Sequence, residues 1–430
     1  MPLPRNGARC RPAPETEVEV GLSIEEAGSV FTDPSAYADE PRFYAACAQL
    51  RRDCPVAYVD ANGFAPFWAL TRYDDIMAVE RAPAAWINAP RPALAPGPKY
   101  GSARDDMPVR TLVQMDAPDH TIYRKISVEW FKQANVARLS DRATTLAQRA
   151  VDHMAELGGE CDFFTDVAMN YPLYIILALL GLPEEDFPRM LELTQEMFGK
   201  DDPELASEVE GDRLIANLLE FFEYFQGLID DRRAQPRDDL ASVIANAEVN
   251  GEPIGVLEAV GYYVIIATAG HDTTSAAISG GLAALLAHPD QLRRLMRDPS
   301  LVPSAVEEMF RYVSPVKQFM RTATSEQELG GVTIPEGGSV LMSFPAANRD
   351  EAVFPNPETF DVERDPNRHV AFGFGAHYCL GTHLARLETR AFYNELIPRL
   401  EHAEPAGESE FMQTIFVGGP KHVPVRYRLR

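Results

Sequence analysis

Cysteine is scarce in this sequence: five occur in 430 residues, at Cys10, Cys47, Cys54, Cys161 and Cys379. The number is odd, the spacing irregular and no C-x-x-C pair occurs, which argues against a disulfide framework or a zinc ribbon and fits a reducing compartment. Positive charge is also in deficit. Forty Lys and Arg stand against 64 Asp and Glu, a net charge of −24, so the chain repels phosphate backbones and general nucleic-acid binding is excluded. No G-x-G-x-x-G follows a strand, so no flavin or nicotinamide site is visible and electrons for any redox chemistry must come from outside.

Long hydrophobic runs are missing too. The most apolar stretch, Ala259 to Gly270, is far shorter than the ~20 residues that span a bilayer, and it runs into His271 and Asp272. The N-terminus places Arg5, Arg9 and Arg11 among prolines and lacks the apolar core of a secretory signal. These absences predict a soluble, cytoplasmic protein with a partly disordered N-terminal tail over residues 1–40. A single domain is expected over 41–430, without internal repeats.

With 46% hydrophobic residues, the chain can bury a sizeable core. Helical spacing of apolar positions covers 42–52, 120–157, 165–181, 184–199, 203–233 and 238–247, and strand signals sit at 56–59, 67–71, 331–334, 339–343 and 423–427. The expected class is mainly α with small peripheral β-sheets. Residues 83–111, rich in Pro, Gly and Arg, resist regular assignment and suggest a binding lid.

The most informative residues are Phe372-Gly373-Phe374-Gly375-Ala376-His377-Tyr378-Cys379-Leu380-Gly381, just before a helical run from Thr382 to Leu396. Glycines at that spacing let a loop approach a flat group, and a thiolate at a helix start is favoured by free N–H groups. A buried structural cysteine, or a zinc site from His377, Cys379 and His383, is the alternative. A second feature is the stretch Pro253 to His288, expected as one helix with only Glu258 and Asp272 charged. In its middle, Ala269-Gly270-His271-Asp272-Thr273-Thr274 places an acid beside an alcohol in apolar surroundings. Proton delivery is the natural use; a helix kink stabilised by Thr back-bonding is the plainer one. His271 is expected to pack or to stabilise a partner.

The cysteine loop resembles the haem-ligand loop of cytochrome P450 enzymes, F-x-x-G-x-(H/R)-x-C-x-G, and the central helix is similar to that family's (A/G)-G-x-(D/E)-T segment. Met115-Asp116-Ala117-Pro118, Gly159 to Phe163 and Phe416 to Lys421 further resemble the α-terpineol-hydroxylating subfamily of soluble bacterial P450s. The resemblance implies the triangular-prism P450 fold, with haem b (iron protoporphyrin IX) between the long central helix and the cysteine-bearing helix. It implies Cys379 as metal ligand and axial thiolate, Phe372, Gly381 and Ala269 against the haem, and His120, Arg124, Arg321 and His377 at the propionates. Asp272 and Thr273 become the catalytic pair, with Asp272 relaying protons and Thr273 steadying dioxygen. Glu308, Arg311 and Arg364 become a structural cluster. Ile265, Thr268, Ala269, Val316, Phe319, Ile415 and Phe416 are the expected substrate pocket.

The activity so implied is ferredoxin-dependent hydroxylation of a small apolar substrate, a monoterpene or an aromatic hydrocarbon, with dioxygen and two electrons. The electrons would come from a 2Fe-2S ferredoxin and a flavoprotein reductase, docking on a basic patch of Arg124, Lys125, Lys132 and Arg386. A peroxide-driven peroxygenase and a non-catalytic haem-based sensor or carrier are the alternatives.

Overall fold

The computed structural model describes residues 22–97, 110–190, 192, 202–204 and 211–430. Helices dominate, as the periodicity predicts. Five strands form the larger sheet: β1 (Val56–Val59), β2 (Phe67–Leu70), β3 (Trp86–Ile87), β4 (Gln318–Ala323) and β5 (Ser339–Ser343), in the order β1-β2-β5-β4-β3. Strand β4 was not expected. It lies antiparallel to β5, with Arg321 opposite Val340, and its nearly continuous burial hides the alternation that would mark it. A smaller sheet joins Leu400–Pro405, Pro424–Leu429 and Glu160–Asp162.

The helices that build the interior are α1 (Tyr73–Glu80), α2 (Asp119–Val128), α3 (Asn170–Leu179), α4 (Val256–Ala269), α5 (Asp272–Ala287), α6 (Val302–Val313) and α7 (Thr382–Arg399). The helix expected over 253–288 is thus two. Its break has a local cause: the Thr273 hydroxyl donates to the Ala269 carbonyl at 2.9 Å, diverting an acceptor of the backbone ladder. Gly270 lies at the break, where an added Cβ would stand 2.8 Å from the Ile176 side chain of α3 and would have to push it aside.

The helix expected over 120–157 is also interrupted. After α2 come Gln133–Val136 and Ser140–Glu156, separated where Phe131 turns into the core and Lys132 is extended. A π-helical turn, Phe164–Ala168, precedes α3. Of the stretches expected at 184–199 and 203–233, the described parts include a 3₁₀ turn at Glu184–Asp186 and a helix at Gly211–Ala234; the remainder lies outside the described residues.

The N-terminal tail expected over 1–40 needs correction. Residues 24–38 form short helices, and Ala27, Val30, Phe31 and Tyr37 are buried in a core shared with β1 and β2. Residues 1–21, like 98–109 of the expected lid, lie outside the described residues; within 83–97, Trp86 pairs with Ala323, and Ala93 and Leu94 are buried. Cys47, Cys161 and Cys379 are free thiols. Among the described residues no helix is long and apolar enough to cross a membrane.

Candidate active site

A cleft with about 1420 Å³ of open space lies between the α4–α5 break and the start of α7. Ile265, Ile266, Ala269, Gly270, Thr273 and Thr274 form one wall, and Phe372, Gly373, Cys379, Leu380, Gly381 and Leu384 the other. The walls meet at a polar end made by Glu80, Asn88, His120, Arg124, Arg321 and His377.

The cysteine wall is held from behind. The Cys379 N–H donates to the Phe372 carbonyl at 2.9 Å, and Arg124 Nη2 donates to the Tyr378 carbonyl at 2.5 Å. Gly375 has φ +70°, and a Cβ there would lie 2.4 Å from the Glu80 carbonyl oxygen, so the loop can rest on the end of α1 only with glycine at this position. Burial pushes the Cys379 thiol up, opposed by the Gly381 N–H and the charges of Arg124 and Arg386. A thiol held this way becomes a thiolate when a metal coordinates it. Among the described residues no group of three His, Cys, Asp or Glu is placed to hold a metal ion, which leaves the zinc alternative without a ligand set.

The polar end combines cations with unused donors and acceptors. Arg321 pairs with Glu80 at 2.9 Å, both buried. The His120 and His377 rings are 3.9 Å apart, and Asn88 Nδ2 lies 3.0 Å from His377 Nε2. Asp116 accepts from the Asn88 and Ala89 backbone N–H groups at 2.8 and 2.9 Å, which fixes Asn88 in the cleft. Burial, then the charge of Arg124, pulls the His120 imidazole down to about 4; burial, then Arg321 and His120, pulls His377 down to about 2. His120 Nε2 and Asn88 Oδ1 are buried without a partner. Orphaned polar atoms beside two arginines are what a buried dianionic edge would satisfy. A flat apolar cleft, a cysteine sulfur on one face and such an edge together fit a haem with its propionates.

The opposite wall carries the acid–alcohol pair. Thr273 faces the cleft, while Asp272 lies just outside it with its side chain 22% exposed and 3.1 Å from His271. Thr273 therefore makes the plainer helix-kink contact and borders the cleft at the same time. Among the expected pocket residues, Ile265, Ala269, Val316 and Phe319 line the cleft. Three do not. Thr268 is buried with its hydroxyl on the Val264 carbonyl at 2.8 Å, Ile415 is buried in the core against the N-terminal helices, and Phe416 packs edge-on behind Phe319 at 5.5 Å. Each follows motif position in the sequence; facing direction is set by helix phase and loop path.

Glu308, Arg311 and Arg364 come together as expected, away from the cleft. Arg311 grips Glu308 through two bonds of 2.7 Å, and Arg364 Nε reaches both carboxylate oxygens at 3.1 Å. The expected basic patch does not stand free: Arg124 is turned to Tyr378, Lys132 pairs with Glu129 and Arg386 with Glu307. Sequence reasoning missed Glu80, Asn88 and Glu388, which line the cleft; single polar residues in apolar helices and loops carry no periodic signal. Glu388 is fully buried with Oε1 unpartnered, and burial pushes its carboxyl well above the usual carboxylate range.

Comparison with known proteins agrees with this geometry. The cytochrome P450 family model matches residues 98–422. The chain is 40% identical to cytochrome P450-terp of a Pseudomonas species, over 92% of this chain and 95% of that protein. It is 32% identical to a steroid C26-monooxygenase of Rhodococcus jostii, over 93% of this chain and 85% of that protein. The crystal structure of CYP108D1 from Novosphingobium aromaticivorans superposes with a TM-score of 0.86 at 39% identity, covering 94% of this chain and 99% of that one. Cleft, cysteine loop and likeness along nearly the whole chain lead to one conclusion: the chain belongs to the cytochrome P450 family and is a haem-dependent monooxygenase.

Proposed function

We propose that this monooxygenase hydroxylates a small, neutral, apolar molecule, a monoterpene or an aromatic hydrocarbon of one to three rings, in the cytoplasm with electrons from a 2Fe-2S ferredoxin and its flavoprotein reductase. The observation that carries the substrate class is the cleft lining beyond the polar end. Leu112, Val113, Ile176, Ile265, Val316 and Phe319 are apolar, and polar side chains on this side are the hydroxyls of Thr273 and Thr274. Lys317, the nearest cation in sequence, is buried with Nζ on the carbonyls of Val313 and Ser314 at 3.4 and 3.2 Å, so it supports no carboxylate partner. A compact hydrocarbon burying about 200 Å² gains about 5 kcal/mol before the entropic cost of association.

In this reading Cys379 would hold the haem iron through its sulfur, and His120, Arg124, Arg321 and His377, joined by Asn88, would hold the propionates. Bound haem supplies the oxygen-activating chemistry. Ile265, Ala269, Val316 and Phe319 orient the substrate and exclude water. Thr273 borders the cleft with Oγ1, which can accept a hydrogen bond there while its own proton rests on the Ala269 carbonyl, and Asp272 supplies protons from its partly exposed side. Glu308, Arg311 and Arg364 hold the fold that positions the cysteine loop.

Titration of the haem spin state tests the reading. Monoterpenes and small aromatic hydrocarbons should shift the haem to high spin at micromolar concentrations, and fatty acids and amino acids should not. Product should then require ferredoxin and reductase. Turnover with peroxide alone would indicate a peroxygenase, and binding without turnover a sensor or carrier. A carboxylate that binds more tightly than its neutral analogue refutes the substrate class.

A further inference from the structure

His271 stands beside the proton-handling pair and is absorbed by none of the roles above. Its side chain is 1% exposed, at the break between α4 and α5. One ring nitrogen, Nε2, lies 2.8 Å from the Met169 carbonyl, which can only accept, so Nε2 carries a hydrogen. The other, Nδ1, lies 3.1 Å from Asp272 Oδ1. Nδ1 is buried without an aligned hydrogen-bond partner, so a neutral imidazole with its hydrogen on Nε2 would leave the Nδ1 lone pair unpaired 3.1 Å from a carboxylate oxygen, which is repulsive in a buried site. One additional proton between Nδ1 and Oδ1 removes the repulsion.

We propose that His271 is a positioning residue that stores a proton for Asp272, the pair resting as imidazolium and carboxylate. Its burial makes the store private. With 1% exposure against 22% for Asp272, a proton on Nδ1 arrives and leaves through the carboxylate. The sequence of transfers balances. The Nδ1 proton moves to Asp272 Oδ1 and Asp272 passes one proton on towards the cleft, leaving a carboxylate and a neutral ring still bonded to Met169 through Nε2; one proton from solvent, taken up at the exposed carboxylate and handed to Nδ1, restores the pair. Asp272 Oδ2 has no protein partner, which leaves it free to accept or release that proton.

The surrounding charges leave this pairing alone. Helix α3 carries no charged residue. On the π-helical turn, Asp166 accepts the Asp162 N–H; Lys421 and His422 are engaged by Asp202, Asp162 and Glu204; Glu308 on α6 is closed by its arginines. Glu388 on α7 has its carboxyl pushed well up by burial, which disfavours its charged form. Burial pushes the His271 pKa down, but the Asp272 charge, the Asp272 contact and the Met169 carbonyl together raise it. The protonated form is therefore favoured relative to a free imidazole and is lost as pH rises through the raised value.

The inference rests on the reading of Asp272 and Thr273 as the proton-delivery pair, and two measurements on the haem-loaded enzyme separate them. In the ferrous carbonyl form, ¹⁵N NMR of labelled histidine should show His271 protonated on both nitrogens at about pH 7, with the Nδ1 proton lost in Asp272→Asn. The resonance is assigned by its absence in His271→Asn. In turnover, product per electron should hold within about twofold from about pH 6 to about pH 8 in the parent and fall about fivefold over that range in His271→Asn, with a larger solvent isotope effect. A singly protonated ring across that range overturns the proposal, as does a His271→Asn profile parallel to the parent's. Should His271→Asn lose the thiolate-type carbonyl spectrum, the parent NMR titration, with the resonance assigned by its response in Asp272→Asn, decides. A parent that makes no product with any donor counts against the monooxygenase role of Asp272 and Thr273, while the ring titration still tests the pair.

Discussion

Glu308→Gln is the sharpest test of how this fold is held together. Glu308 and Arg311 are both fully buried, and the carboxylate accepts two bonds from Arg311 at 2.7 Å, others from Arg364 at 3.1 Å, one from Asn367 at 3.0 Å and one from the Asp361 N–H at 2.9 Å. The amide keeps the shape but removes the charge and turns one acceptor into a donor facing guanidinium hydrogens. Arg311 keeps its bonds to the carbonyls of Asn348 and Pro357 at 2.8 Å, so it cannot swing to solvent, and Arg364 is nearly buried as well. Removing one partner of a buried ion pair costs about 3–5 kcal/mol. At about 2.1 cal/mol/K per residue, 430 residues give an unfolding entropy near ~0.9 kcal/mol/K, and the loss becomes a Tm decrease of about 3–6 °C. Thermal unfolding followed by far-UV circular dichroism reads it. The control is Glu401→Gln, which breaks an exposed pair with Arg428 and should move Tm by less than about 1 °C. A Glu308→Gln shift as small as the control's would refute the argument that this cluster carries uncompensated charge when broken.

Three further outcomes follow from the site. Cys379→Ser should abolish the thiolate-type spectrum of the reduced carbonyl complex, while Cys47→Ser and Cys161→Ser leave it in place; the reverse pattern would move the ligand elsewhere. Thr273→Ala should leave electron consumption running while product per electron falls about tenfold and peroxide rises, and unchanged coupling would remove the hydroxyl from proton handling. For Glu307, burial pushes the carboxyl up, but hydrogen bonds from His369 and Arg386 outweigh it and hold the group down at about 2. Its stabilisation is therefore complete above the ordinary carboxylate value and is lost as pH falls towards 2, so the Tm gap between parent and Glu307→Gln should be constant from pH 7 to about 5 and close below about 4. A gap that stays open in acid would show that charge is not its source.

The sequence alone determined what depends on near neighbours in the chain. Cys379 among its glycines, the acid–alcohol pair and the i, i+3 spacing of Glu308 and Arg311 are short-range patterns; in the fold Cys379 and Thr273 border the cleft, Asp272 lies just outside it, and Arg311 closes on Glu308. The class of fold was equally legible, because apolar periodicity is a local property of each segment. Tertiary structure decided what depends on segments far apart. The break at Gly270 and His271 needs the Thr273 back-bond and the close approach of Ile176, and β4 becomes a strand by pairing with β5. Thr268, Ile415 and Phe416 match the pocket by motif yet turn elsewhere, since helix phase and loop path are fixed by packing. Arg321 meets Glu80 across 241 positions, and Nε2 of His271 finds Met169 across 102. No window of sequence contains such contacts; they arise when burial forces a polar group to take whichever partner the fold brings within reach.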